Sequence, residues 1–215
     1  PNGAGKTTFF KMLAGELEPT AGEVYFKDKR ITRLDVTRVA QLGIAKSFQI
    51  TQIFPKLSVK ENVLVPALAA TRGAFRIDAF VPLTGAKEAH EIAERVLDQV
   101  DLAGRRDVRA SDLSYGEKRR LELALALATE PEVLLLDEPT AGMSPAERTA
   151  MVALLQQLRK SVTIVIVEHD MDVVFGLADR LVVMQDGRQI AEGAPAEIRG
   201  NSRVQEAYLG TGGAA

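Results

Sequence analysis

Apolar residues recur along this chain with two different periods, and the change from one to the other falls near residue 130. Before it, the spacing is mostly helical. Residues 5 to about 17 predict a helix with Phe9, Phe10, Met12 and Leu13 available for burial, broken by Pro19 and Gly22 in "EPTAGE". "EVYFKDKRIT" predicts a short hairpin with the polar Lys27-Asp28-Lys29 at its tip. From about residue 56 to 128 the pattern is mostly helical. In "AKEAHEIAERVLDQVDL" the residues Ile92, Val96, Leu97 and Val100 fall on one face, while "RGAFRIDAFVPLTG" carries mixed signals and is expected to be a loop or irregular insert.

After Glu130 the texture changes. "EVLLLDE" is a short continuous apolar run, the pattern of a strand buried on both faces. "SPAERTAMVALLQQLRK" follows as a helix, with Ser144 as N-cap, Pro145 in the first turn and Glu147 completing a capping box. "VTIVIVEHD" predicts a second buried strand, residues 171–178 a helix, and "RLVVMQDGRQIAEG" a hairpin turning at Asp186-Gly187. Strand, helix, strand, helix implies an α/β fold with a mostly parallel sheet and right-handed crossovers. The block at about 56–128 is then a helical subdomain inserted into one domain spanning 1–215.

Composition narrows the classes. The chain has 215 residues, 46% of them hydrophobic, enough for a sizeable core. A formal net charge of −2 gives no whole-chain reason to expect nucleic-acid binding. The absence of cysteine excludes disulfides and thiolate chemistry. The longest apolar runs, "VLVPALAA" and "LALALA", fall well short of the ~18 residues of a membrane span.

Two places carry chemistry. In "NGAGKTT" Gly5, Lys6 and Thr7 supply the end of a phosphate-binding loop, G-x-x-x-x-G-K-[ST], whose leading glycine would fall one residue before Pro1. The candidate loop comprises Asn2, Gly3, Ala4, Gly5, Lys6, Thr7 and Thr8. Gly3 and Gly5 can turn backbone N–H groups toward phosphate oxygens, Lys6 can reach the terminal phosphates, and the Thr7 hydroxyl can hold Mg²⁺. A glycine-rich turn before a helix would leave the same letters. At the end of "VLLLDE", Asp137 lies where parallel sheets bind ligands and can hold a hydrated Mg²⁺. Glu138 is placed to activate a water.

"LSYGEKRRLELALAL" adds a third mark. Ser114 and Glu117 read as a capping box, but Gly116 weakens the helix and is expected where something approaches its backbone. Here the chain resembles the ATP-binding subunits of ABC transporters, whose signature LSGGQ stands as Leu113-Ser114-Tyr115-Gly116-Glu117. Further marks follow in the family's positions: Gln49 in "KSFQI" as the Q-loop glutamine, residues 141–144 as the D-loop, and His169 in "VEHDM" as the switch histidine.

The resemblance implies a P-loop NTPase core, ATP and Mg²⁺ as cofactors, and Glu138, His169 and Gln49 as catalytic residues. Thr7, Gln49 and Asp137 would serve the metal, and Ser114, Gly116 and Glu117 would meet the nucleotide of a second ATP-binding subunit, identical or paralogous, facing head to tail. It further implies membrane permease subunits, indirectly a substrate-binding protein, and a peripheral place at the cytoplasmic face of the bacterial inner membrane. The family's first strands, including the one feeding the P-loop, are expected to be missing, so the chain reads as incomplete at its N-terminus. Truncation would leave an inactive remnant as one alternative. Tyr115, Glu117 and Ser144 depart from the family's usual residues.

"FQITQIFPKLSVKENVLV", "DEPTAGMSP" and the tail "EGAPAEIRGNSRVQEAYLG" resemble bacterial branched-chain amino-acid importers. In that family the segment around Phe54 and Glu61 meets the permease; otherwise Phe54 is a core residue and Ser58–Glu61 another capping box. Urea or amide importers and the lipopolysaccharide exporter share much of this wording. Soluble members of the superfamily act on nucleic acid or ribosomes, but they usually bring long coiled coils or a second cassette, which this chain lacks.

Overall fold

The structure is a computed structural model, and it describes residues 3–47, 53–72 and 87–209. Helix α1 (Lys6–Leu13) leads to a small antiparallel hairpin of β1 (Tyr25–Phe26) and β2 (Lys29–Arg30). The helix stops earlier than its sequence suggests. Gly15 takes φ +73°, and a Cβ there would sit 2.7 Å from the Leu34 carbonyl, so the chain turns before Pro19 is reached. Only Phe10 of the α1 apolar residues is fully buried; Phe9 faces out.

Helix α2 (Val36–Gln41), capped by Asp35, and strand β3 (Ile44–Ser47) come next. Three helices follow: α3 (Val59–Arg72), α4 (Lys87–Gln99) and α5 (Tyr115–Leu127). The face predicted on α4 is the buried one, with Ile92, Val96 and Leu97 in the core and Val100 just beyond the helix end beside them. The insert called between α3 and α4 lies largely outside the described residues.

Strand β4 (Val133–Asp137) pairs in parallel with β3, Ser47 opposite Leu136, although α3 to α5 lie between them in sequence. Helix α6 (Pro145–Leu158) crosses to β5 (Thr163–Val167), parallel to β4 on its other side, with Asp137 opposite Val167. The sheet thus has the order β3-β4-β5 among the described residues. Leu134, Leu135 and Leu136 are buried, as expected of a central strand; β5 is only half-buried until Val167, since among the described residues it has a neighbouring strand on one side alone. Helix α7 (Met171–Leu177), the hairpin of β6 (Leu181–Gln185) and β7 (Arg188–Gly193), and helices α8 (Pro195–Arg199) and α9 (Ser202–Leu209) complete the chain. Asp186 and Gly187 make the hairpin turn with φ +49° and +74°, the left-handed pair that such turns demand.

One continuous core joins the inserted helices to α6, α7 and one face of β4; a second, around Phe10, Val39, Ile44 and Leu135, fills the other face. Both sides of the sheet are therefore covered, and its strand ends open toward the residues singled out by sequence.

Candidate active site at the ends of β4 and β5

The loop before α1 holds Gly3 and Gly5 at φ +76° and +87°, a region that L side chains avoid. Gly5 is the N-cap of α1 and has no side chain to cap the first turn, the end of a helix at which an anion is favoured. Ala4 is buried, and its carbonyl accepts from Gly187 N–H at 3.2 Å, which sets the β6–β7 turn against the loop. Thr7 is half-buried and Thr8 exposed. Asn2 and Gln49 lie outside the described residues.

Asp137 ends β4 with 6% of its surface exposed, and neither carboxylate oxygen has a hydrogen-bond partner among the described residues. Burial pushes its pKa up, the negative charge of Glu138 adds to the rise, and Lys46 and Lys6 oppose it. A buried carboxylate with both oxygens idle fits a cation-binding role, since a divalent ion would supply the missing partner. Glu138 follows with φ +50°, unusual for a residue with a side chain. Its N–H donates to Val167 O at 2.8 Å, and its carboxylate reaches toward His169, Nδ1 to Oε1 3.7 Å. The structure thus brings Asp137, Glu138 and His169 together across the strand ends.

Four participants were not legible beforehand. Lys46, on β3, forms a salt bridge with Glu16 at 2.7 Å near Asp137. Glu168 and Thr140 are hydrogen-bonded to each other behind Glu138. Glu147 contacts Gly116 from another helix. No local sequence pattern announces these pairings; the capping box foretells the bond of Glu147 to Ser144 but not its contact with Gly116.

The signature segment sits at a second junction. Ser114 caps α5: its N–H donates to Glu117 Oε2 at 2.8 Å, and its Oγ accepts from Glu117 N–H. Ser144 and Glu147 make the same box on α6. The group that approaches Gly116 is Glu147, whose Oε1 accepts the Gly116 N–H at 3.2 Å; a Cβ on Gly116 would lie 2.5 Å from that oxygen. These bonds hold the carboxyls of both Glu117 and Glu147 below the ordinary glutamate range. Tyr115 donates its hydroxyl to Ala141 O at 2.9 Å and carries Arg119 over its ring, the latter paired with Glu122.

A groove of about 600 Å³ opens between α2, β3, α3 and α5. Val36, Phe54, Val65 and Pro66 give it apolar walls, and Glu122 reaches it from α5. Phe54 is 51% exposed, so it is no core residue. Its loop is held by the fully buried Asn62, which accepts from Phe54 N–H at 2.7 Å and donates to the Phe54 and Ser58 carbonyls. The Ser58–Glu61 capping box is also present.

Comparison with known proteins agrees with this geometry. Residues 1–141 match the ABC transporter family, and residues 188–214 match the family described as branched-chain amino acid ATP-binding cassette transporter. The chain is 38% identical, over 98% of its length and 84% of the relative's, to the high-affinity branched-chain amino acid transport ATP-binding protein LivG of Salmonella typhimurium. The same figures hold for BraF of Pseudomonas aeruginosa. A lipopolysaccharide export system ATP-binding protein, LptB of Acidithiobacillus ferridurans, is 34% identical over 98% of this chain and 83% of its own. Among solved structures, an ATP-binding cassette of an ABC transporter in its ADP conformation superposes with a TM-score of 0.83 at 30% identity, covering 98% of this chain and 85% of that one. A dimeric cassette in a post-hydrolysis state, bound to ADP and Pi, gives 0.74 at 27% identity, covering 91% and 82%. The chain belongs to the ATP-binding cassette family of ABC transporters.

Proposed function

We propose that this chain is the ATP-hydrolysing subunit of a membrane importer for branched-chain or related amino acids. The observation that carries the reading is likeness over 98% of the chain to LivG and BraF, with the separate match of residues 188–214 to the branched-chain type. The cassette is a single domain in which residues of about 56–128 act as a helical arm on the α/β core.

The chemistry follows from the residues. The uncapped turn at Gly5 to Thr7 and the Lys6 ammonium hold the phosphates of ATP. Thr7, Asp137 and Gln49 would hold a Mg²⁺ ion, which when bound neutralises phosphate charge. Glu138 orients a water in line with the γ-phosphorus and accepts its proton as the new P–O bond forms and the bond to ADP breaks. His169, close to Glu138, stabilises the charge building on the γ-phosphate. Ser114 and Gly116, at the N-terminus of α5, meet the nucleotide of a second ATP-binding subunit.

The groove beside Phe54 receives the permease. An exposed aromatic fixed to a helix by a buried asparagine is a rigid anchor for a partner, not a spare core residue. The protein then works at the cytoplasmic face of the membrane. The test is to isolate it from native membranes in mild detergent and identify what accompanies it by mass spectrometry. Recovery with amino-acid permeases and a second ATPase is expected; recovery only from the soluble fraction, with ribosomes or DNA, would overturn the transporter reading. The LptB likeness supports a second reading, export of lipopolysaccharide, which recovery with export permeases would favour.

A further inference from the structure

One buried carboxylate near the strand ends has no part in the chemistry described so far. Glu168 directly follows β5 and is 7% exposed. Its Oε1 accepts from both the Thr140 hydroxyl, at 2.6 Å, and the Thr140 N–H, at 3.1 Å. Its Oε2 accepts from the N–H of His169 at 3.2 Å. Thr140, itself 3% exposed, stands two residues after Glu138. A single side chain therefore bridges the loop that carries Glu138 and the loop that carries His169.

We propose that Glu168 is a positioning residue for ATP hydrolysis: through Thr140 and His169 it fixes the placement of Glu138 relative to His169. The inference rests on the assignment of Glu138 as the base. Glu138 is held at φ +50°, a conformation that costs a residue with a side chain free energy and persists only when its surroundings over-determine it. Three bonds supply that constraint: Glu138 N–H to Val167 O, Ala141 N–H to Glu138 O, and the Thr140–Glu168 pair. The first two are backbone bonds that any sequence can make. The third depends on two side chains, and a bond to a carboxylate is short and strong. Releasing Thr140 lets the 138–141 loop relax, which moves the Glu138 carboxylate away from His169. The P-loop lies outside this network, so nucleotide affinity stays as it was.

The experiment uses the intact protein and measures kcat, ATP affinity and melting temperature for each variant. Thr140→Val keeps the shape and the N–H but removes the hydroxyl; kcat is expected to fall about 10-fold or more, with ATP affinity within about twofold. Thr140→Ser, which restores a hydroxyl, returns the rate to within about threefold of the original. Glu168→Ala falls at least as far as Thr140→Val. In a Glu138→Gln background Thr140→Val is expected to change the residual rate no further, because there is no base left to position. Thr140→Val and Glu168→Ala with unchanged kcat, beside an inactive Glu138→Gln, would overturn the positioning role and leave the ATPase assignment standing. Equal losses in kcat and ATP affinity would also overturn it, in favour of a general structural role. A fully active Glu138→Gln would remove the base and the positioning role together. Should Glu168→Ala fail to fold, the valine and serine variants at 140 decide alone.

Discussion

The ends of β4 and β5 and the starts of α5 and α6 are both polar junctions, yet they are built on opposite terms. At the strand ends Asp137 keeps two buried oxygens without hydrogen-bond partners among the described residues, and Glu138 holds a conformation that costs stability. At the helix starts almost every polar group is matched within the chain: Ser114 with Glu117, Ser144 with Glu147, Gly116 with Glu147, Tyr115 with Ala141. A buried carboxylate with no such partner fits a cation-binding role. A satisfied junction must give up bonds to engage one. Under the roles proposed above, ATP would bind at the strand ends with little rearrangement, whereas the signature segment would meet a second subunit's nucleotide only by exchanging the Glu147 contact on Gly116 for phosphate.

The largest effects test the first half of that contrast. Glu138→Gln is expected to lower hydrolysis by on the order of 10²–10⁴-fold while ATP still binds; turnover close to the original would remove Glu138 from its role. Lys6→Ala is expected to weaken ATP about 10- to 100-fold, the loss of a charged hydrogen bond to phosphate. Equilibrium binding of a fluorescent ATP analogue reads this directly, and unchanged affinity would contradict it.

Asp137→Asn separates stability from function. It removes a buried charge that has no hydrogen-bond partner among the described residues, so the nucleotide-free protein should melt a few degrees higher, about 1 kcal/mol of stabilisation, while Mg²⁺-dependent hydrolysis is lost. A lower melting temperature would mean that the carboxylate is satisfied in the free protein.

The smaller effects test the second half. Tyr115→Phe deletes the hydroxyl that reaches Ala141 and should cost about 0.5–1.5 kcal/mol, seen as a melting temperature lower by a few degrees. Acid distinguishes the junctions by sign. The folded-state pKa of Asp137 is raised, so its ionised form destabilises the fold, and that burden lifts as pH falls through the raised value. Those of Glu117 and Glu147 are lowered. Their contribution is complete above the ordinary glutamate pKa of about 4.3 and vanishes as pH falls below it through the lowered values. Glu147→Gln should flatten the acid limb of the melting curve, and Asp137→Asn should steepen the loss of stability on acidification. Identical limbs in both variants would erase the distinction.

What was legible beforehand follows the range of the interactions. Continuous apolar runs and S-x-x-E boxes are local, and β4, α6 and the caps at Ser114 and Ser144 stand where the pattern put them. Strand β3 was missed because "GIAKS" is short and Lys46 interrupts its apolar pattern, although that lysine stands beside Asp137. The "VTIVIV" run reads like "VLLLD", but among the described residues the first has a strand on one side only and the second on both, and no local pattern records the difference. Gly116 was recognised as crowded. Its neighbour proved to be a glutamate 31 positions away in the same chain, invisible to spacing.

The pairing of β3 with β4 has a kinetic consequence. Ile44 lies opposite Val133, so the strands meet only after the whole intervening helical block has been brought out of the way. The contacts among α3, α4 and α5 close shorter loops, and loop closure that spans more chain is slower to nucleate. The helical arm is therefore expected to form first on refolding, with the β3–β4 ladder as the late, rate-limiting step. During that interval the apolar run at residues 133–136 has β5 along one edge, and the edge that β3 will cover is unpaired. That open edge is exposed to pairing with other chains until the β3–β4 ladder closes.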